Sequence, residues 1–364
     1  MLSCIIKAVD KHAGLLRASA ADPGNDHRLG SNEAPPAIIS IFLGEQLEDV
    51  LEQIVCNGVA LNCLRRSKLS IGVKSLPDLN NDATDRNRTS PFAFTGNKFE
   101  FRMVGSRDSI SEPNIVLNTI VAETFSDACD ILEKADDFDE AVHDLIKKNF
   151  SEHQRIIFNG NGYSDEWVAE AERRGLPHIQ SMVDAIPELT KKENVRMFEK
   201  FGVFTKAELE SREEVKYENY IKTINIEAKT RIDIVSKEII PVAVRCTKLL
   251  ADSINAVKEA GVNDVSVQKK LLEKTSALLK QIQQSLNTLI EVEAQAGDMK
   301  KGKKQAKFYH EKIFMAMEKL RIPVDALEMI VDKKMWPMPS YGDLNFDVSY
   351  EKTADNFLPL HFCR

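Results

Sequence analysis

The sequence lacks the features that announce several common functions. Its six cysteines (Cys4, Cys56, Cys63, Cys129, Cys246, Cys363) contain no CxxC pair, and neither they nor the seven histidines fall at metal-ligand spacing. Zinc is therefore not expected, and the cysteines read as reduced thiols in a cytoplasmic protein. No apolar run approaches the roughly 20 residues needed to span a bilayer. The apolar patch within residues 1–9 is too short for a secretory core, and no small-residue cleavage site follows it. No membrane role is expected. Basic excess is missing too: the net charge is −7, whereas a nucleic-acid partner calls for a basic face. There is no Walker A lysine loop, internal repeat or low-complexity tract.

What is present is a globular composition, 43% hydrophobic and 29% charged over 364 residues, long enough for two ordinary domains. The chain changes texture along its length. Residues 1–204 mix strand-like and helix-like pieces with Gly, Pro and Asn loops, residues 205–335 are almost purely helical in pattern, and residues 336–364 form an irregular tail. The fold class expected is α+β, an antiparallel sheet with helices followed by a long-helix bundle.

In the first region, residues 15–19 suggest a short strand and residues 22–33 a polar, Gly-rich loop. Pro35 and Pro36 precede an apolar stretch, 37–55, read as a helix because proline is tolerated in a first turn. Residues 77–90 (PDLNNDATDRNRTS) are loop, and 97–104 alternate as a half-buried strand should. Helices are expected at 114–134, 137–150 and 164–174. In the second region, Thr205 followed by Glu208 signals a capping box, and Pro241 should kink or break the helix it interrupts. Residues 261–264 are a turn. Leu271, Leu272, Leu278, Leu279, Ile282, Leu286, Leu289 and Ile290 then form a stripe at three-to-four spacing. Shorter helices follow at 306–320 and 324–331.

Two constellations could carry chemistry. Alternation along 97–104 places Lys98, Glu100 and Arg102 on one face and Phe99, Phe101 and Met103 on the other. The bland reading is a solvated face with ion pairs. Upstream, however, Arg86 and Arg88 sit in a polar loop, and arginine forks hold phosphate or carboxylate oxygens in pairs. Four cations around one acid suit a polyanion and a divalent metal, with Glu100 a hard oxygen ligand. The second constellation is the loop GNDHRLGSNEAP at residues 24–35, where Arg28 could hold a carboxylate and Glu33 could take a proton or attract a cation. His12 and His27 are isolated, which favours structural or solvated roles.

The segment RASAADPGNDHRLGSNEAPPAIISIFLGEQL (residues 17–47) resembles the glutamine synthetase segment that runs NSYKRL, a Gly turn, then EAP. The run DRNRTSPFAFTGNKFEFRMVGS (residues 85–106) is similar to that family's NR…R…RIEFR segment. Order and context match, and the wording, the insertion between the motifs and the helical carboxyl-terminal part look like the large type III class. The resemblance runs from residue 1 to about 348.

The resemblance implies ligation of ammonia to L-glutamate through a γ-glutamyl phosphate, using ATP and Mg2+ or Mn2+. It implies that Arg28 holds the α-carboxylate side of glutamate and that Glu33 shapes the ammonium site and takes up its proton. Glu100 would ligate a divalent metal, and Arg102 would sit near the side-chain carboxylate and the transferred phosphoryl group. Lys98 would stand on the nucleotide where the family usually has Arg, keeping the charge but losing the fork. Arg86 and Arg88 match the phosphate-contacting pair, at tighter spacing than usual, which leaves their individual assignment open. Asn25 matches a loop Asn with a structural role. The family forms homo-oligomers, hexameric rings stacked as dodecamers.

Only 16 residues precede the first motif, where the family carries a β-grasp domain and the first half of its catalytic domain. The expectation is a carboxyl-terminal portion, inactive alone. The rival is a non-catalytic helical scaffold or regulator with a vestigial ligase site.

Overall fold

The computed structural model describes residues 1–31, 33–58, 60 and 89–345, together with the backbone of two short strands, Lys68–Leu69 and Leu79–Asn80. It divides into two compact units. One comprises Met1–Ile224 and Met299–His310; the other comprises Asn225–Asp298 and the described part of Glu311–Arg364.

The first unit opens with α1 (Leu2–Lys11), α2 (Ala13–Ser19) and the short α3 (Pro23–Arg28). Residues 15–19, expected as a strand, belong to α2. All five residues are buried, Arg17 and Ser19 included, and a run this short carries no period that could tell helix from strand. Residues 22–33, expected as loop, contain α3. Asp22 caps it by accepting the Gly24 amide at 2.7 Å, with Pro23 at the first helical position.

The expected helix 37–55 is two elements. Residues Ala37, Ile38, Ile39, Ser40 and Ile41 are all buried, so this run is covered on both faces and becomes extended chain ending in β1 (Ile41–Phe42). Helix α4 (Glu45–Asn57) starts only after Gly44, whose φ of 85° ends the strand in a conformation other residues avoid.

The strands Lys68–Leu69 (β2) and Leu79–Asn80 (β3) pair antiparallel. The sheet that matters for the pocket is built from β1, β4 (Phe92–Phe94) and β5 (Phe99–Phe101), in the order β1-β4-β5. It is mixed rather than wholly antiparallel: β4 runs parallel to β1 and antiparallel to β5. The expected strand 97–104 is paired only over Phe99–Phe101.

Helices α5 (Ser111–Leu132), α6 (Phe138–His153), α7 (Asp165–Arg173), α8 (Met182–Ala185) and α9 (Lys192–Lys200) complete this part. One core joins α1, α2, the sheet, α5 and α7 through Ile6, Leu16, Ile41, Phe92, Ile120 and Trp167. His12 is a core histidine, held by Asn194 at 3.0 Å and Glu123 at 2.7 Å.

Helix α10 (Lys206–Ile234) begins with the expected capping box, Thr205 and Glu208 exchanging side-chain-to-amide bonds. A π turn, Val235–Ile239, separates it from α11 (Ile240–Glu259). Pro241 thus lies in a first turn, where its missing N–H costs little, and the register break occurs just before it. The second unit packs α11 against α12 (Ser266–Gly297), and α12 against α14 (Met315–Glu328); α13 (Lys303–Phe308) belongs to the first unit. The stripe of α12 is buried at Leu278, Ile282, Leu286 and Leu289 but turns outward at Ile290. The expected break near residue 323 is absent: α14 continues through Pro323, with a π turn, Tyr309–Phe314, upstream. The tail, expected without helical period, contains α15 (Tyr341–Asn345), with Ser340 and Asp343 bonded at its start. Among the described residues no helix is long and apolar enough to cross a membrane.

Candidate active site

The β4–β5 hairpin dictates one wall of the site. Phe99 stacks on Phe92 with ring centroids 5.0 Å apart, and Phe94 and Phe101 pack beside them. With the aromatic side committed to the core, strand alternation turns Glu100 outward along with its neighbours at 98 and 102. Lys98 Nζ lies 3.2 Å from one carboxylate oxygen of Glu100, and Arg102 Nη2 lies 3.1 Å from the other. The hydrogen bond from Arg102, then that from Lys98, holds the Glu100 carboxyl below its ordinary value. The three residues form one charged cluster with the acid at its centre.

The opposing wall comes from α3 and the loop after it. Asn25 is buried and works as a junction. Its amide nitrogen donates to the carbonyls of Ala20 at 2.6 Å and Met103 at 3.1 Å, and its oxygen accepts from Arg28 Nε at 2.9 Å. Arg28 also donates to the Met103 carbonyl, one residue beyond Arg102. Two segments nearly 80 residues apart in sequence are thereby fixed to each other (|i−j| = 78 for Asn25–Met103).

Behind this junction, Asp26 points the other way. It accepts the Met182 amide at 2.8 Å and lies 3.6 Å from Arg17, with both side chains almost fully buried. Burial pushes the Asp26 carboxyl up to about 7, against the pull of the Met182 amide and Arg17. Burial likewise lowers Arg17 from its usual range. Arg17 donates to the carbonyls of Ile179 and Gln180, and its remaining Nη1 has no hydrogen-bond partner among the described residues.

Past Arg28 the chain makes a closed excursion. Gly30 N donates to the Ala34 carbonyl at 3.1 Å, and Ser31 Oγ to the Arg28 carbonyl at 2.7 Å. Glu33 stands exposed on this excursion. The result is an open pocket of about 330 Å3 lined by residues that include Arg28, Glu33, Glu100, Arg102 and Tyr163. The structure therefore brings together residues from both sequence constellations. Lys98 pairs with Glu100 but does not line the pocket. Arg86 and Arg88 lie outside the described residues.

Chemically, the pocket presents two guanidinium groups and two carboxylates at its surface. The guanidinium groups suit carboxylate or phosphoryl oxygens and the carboxylates suit a cation. As a metal centre the described residues do not fit by themselves. Both oxygens of Glu100 are engaged by cations, and among the described residues no three His, Cys, Asp or Glu side chains cluster to hold an ion. A divalent cation of this kind needs several oxygen ligands. Sequence reasoning missed Tyr163. The Asn-Gly turn before it and the Ser164 cap after it mark a loop, but nothing local reports a contact 130 residues away.

A Type-3 glutamine synthetase of Dictyostelium discoideum is 40% identical over 357 residues, 95% of this chain and 48% of that protein. Along nearly its whole length the chain is similar to this type-3 glutamine synthetase. Proteins named glutamine synthetase from Butyrivibrio fibrisolvens and Bacteroides fragilis are 36% and 35% identical, over 95% and 94% of the chain and 50% and 48% of their own lengths. The chain thus spans about half the length of the curated relatives it matches. The family pattern described as the glutamine synthetase C-terminal domain matches residues 141–258, from α6 to the end of α11. That span includes Tyr163 but neither pocket motif, so the tie between the pocket and glutamine synthetase rests on the chain-long relatives.

Proposed function

We propose that this chain contributes one side of a glutamine synthetase active site, in which ATP phosphorylates L-glutamate and ammonia displaces phosphate to give L-glutamine. The observation that supports this reading is the convergence of Arg28, Glu33, Glu100 and Arg102 on one pocket. Arg28 would hold the α-carboxylate side of glutamate, its guanidinium aimed by Asn25 and the Met103 carbonyl. Arg102 would face the side-chain carboxylate and the transferring phosphoryl group, where a fixed cation stabilises spreading negative charge. Glu33 would attract ammonium and accept its proton. Lys98, with Arg86 and Arg88, would serve the polyphosphate. Glu100 would be one ligand of Mg2+ or Mn2+, the ion that shields phosphate charge in such transfers.

Because the described residues supply only one such ligand, the remaining ligands would come from other residues or another chain, within the ring assembly typical of the family. The purified chain is therefore expected to show no glutamate-, ATP- and Mg-dependent γ-glutamyl transfer. Clear turnover by the chain alone would overturn this part of the reading. Activity gained on adding a polypeptide that supplies the missing ligands, and lost again with Arg102→Ala, would support it.

A further inference from the structure

We propose that Tyr163 is a positioning residue for Glu33, tying down the loop that carries this acid; the inference rests on the ligase reading of the pocket. Tyr163 Oη donates to the backbone carbonyl of Glu33 at 3.3 Å, and its side chain lines the same pocket. The tyrosine is itself held from both sides. Its amide donates to Asn161 Oδ1 at 3.1 Å, and the next residue, Ser164, caps α7 by accepting the Trp167 amide at 3.2 Å. Trp167 is a core residue, stacked on Phe158. A rigid helix thus sits one residue beyond the hydroxyl.

Gly162 fixes the approach. A β-carbon there would collide with the Thr89 carbonyl and touch Pro35, so the backbone of the tyrosine loop lies directly against the chain leading to β4 and against the end of the Glu33 excursion. Within the excursion Gly30 bonds to Ala34 and Ser31 to Arg28, and its ends are anchored by Arg28 on the Met103 carbonyl and by buried Ala34. The phenol is the side-chain bond that ties Glu33 itself to the α7 segment. With the ends anchored, the phenol sets the place of the exposed tip that carries Glu33, and a general base needs its place.

The test is Tyr163→Phe in the full chain, which removes the hydroxyl and keeps the ring. Hydrogen exchange in residues 29–35 should quicken at least three-fold, while exchange in α7 and the unfolding midpoint stay at wild-type values. Glu33→Gln, which leaves the tethered carbonyl intact, should not quicken exchange. The 13C carboxyl resonance of Glu33, assigned by its loss in Glu33→Gln, supplies a readout that a purely structural contact would not move. Ammonium chloride should shift it where sodium chloride does not, with the half-saturating concentration raised at least three-fold in Tyr163→Phe. Unchanged exchange in Tyr163→Phe overturns the tether, as does an unchanged ammonium response in the presence of faster exchange. A wild-type Glu33 signal indifferent to ammonium overturns instead the role given to Glu33, and with it this inference's functional half.

Discussion

Two acids in the first unit meet arginine in opposite circumstances, and the contrast explains how the pocket is held. Asp26 faces Arg17 in the interior, where loss of water dominates and the carboxyl is pushed up to about 7. Glu100 faces Arg102 and Lys98 at the surface, where the hydrogen bonds dominate and its carboxyl is held low. Burial penalises this ion more than the Met182 amide and an arginine at 3.6 Å together repay. At the surface, water carries most of the solvation and the partners add a modest bias. The buried pair is thus an anchor sensitive to any change in its surroundings. The exposed cluster can trade partners with a ligand at little cost to the fold. Asp26 and Arg28 are two residues apart on one short helix, so the anchor and the pocket wall share a backbone.

The comparison breaks most visibly at Arg17. Arg17→Met leaves Asp26 buried without its cation and removes the bonds to Ile179 and Gln180; a loss of about 3–5 kcal/mol is expected, read by urea unfolding at pH 7. Next comes Asn25→Ala, which strips Arg28 Nε of its acceptor and leaves the Met103 and Ala20 carbonyls short of a donor. A loss of roughly 1–3 kcal/mol should appear in the same assay.

Asp26 itself sets a pH dependence. Its folded value, about 7, lies above the unfolded value near 4, so folding takes up a proton between the two. The stability this group contributes is complete below about pH 4 and is lost as pH rises through 7. Unfolding midpoints measured from pH 4 to 8 should fall with a component that Asp26→Asn removes; a slope unchanged in the variant would show that Asp26 titrates normally. The smallest effect is expected at the surface: Glu100→Gln should leave the unfolding midpoint at its wild-type value, and a clear drop would mean the cluster is an anchor as well.

The two units also differ in how far their sequence announces their structure. In the second unit, three-to-four spacing marks Leu278, Ile282, Leu286 and Leu289, and these residues are the buried seam of α12. A long helix repeats its signal many times, so one misread position such as Ile290 does not hide it. The gap expected between helices at 320 and 324 is filled because the local cost of Pro323 is fixed while the gain from continuing α14 depends on packing far along the chain. In the first unit the elements are short. Residues 15–19 and 37–41 are buried throughout, and full burial erases the alternation that separates helix from strand. For the pocket, side-chain type and local order marked Arg28, Glu33, Glu100 and Arg102 as candidates, and the fold places all four around one space. The contacts that place them were not legible, because the Met103 carbonyl, the Ala20 carbonyl and the Tyr163 hydroxyl act across 5 to 130 residues of sequence. Backbone carbonyls leave no trace in residue type.

The β4–β5 hairpin makes the pocket a matter of parity. Phe99, Glu100 and Phe101 are paired residue for residue with Phe94, Ala93 and Phe92. Sliding β5 by one residue against β4 would exchange odd and even positions along β5. Phenylalanine rings would then meet solvent, and Glu100 with its cations would be driven into the core. Substitutions on this hairpin can adjust the wall, but a register slip of one would erase it.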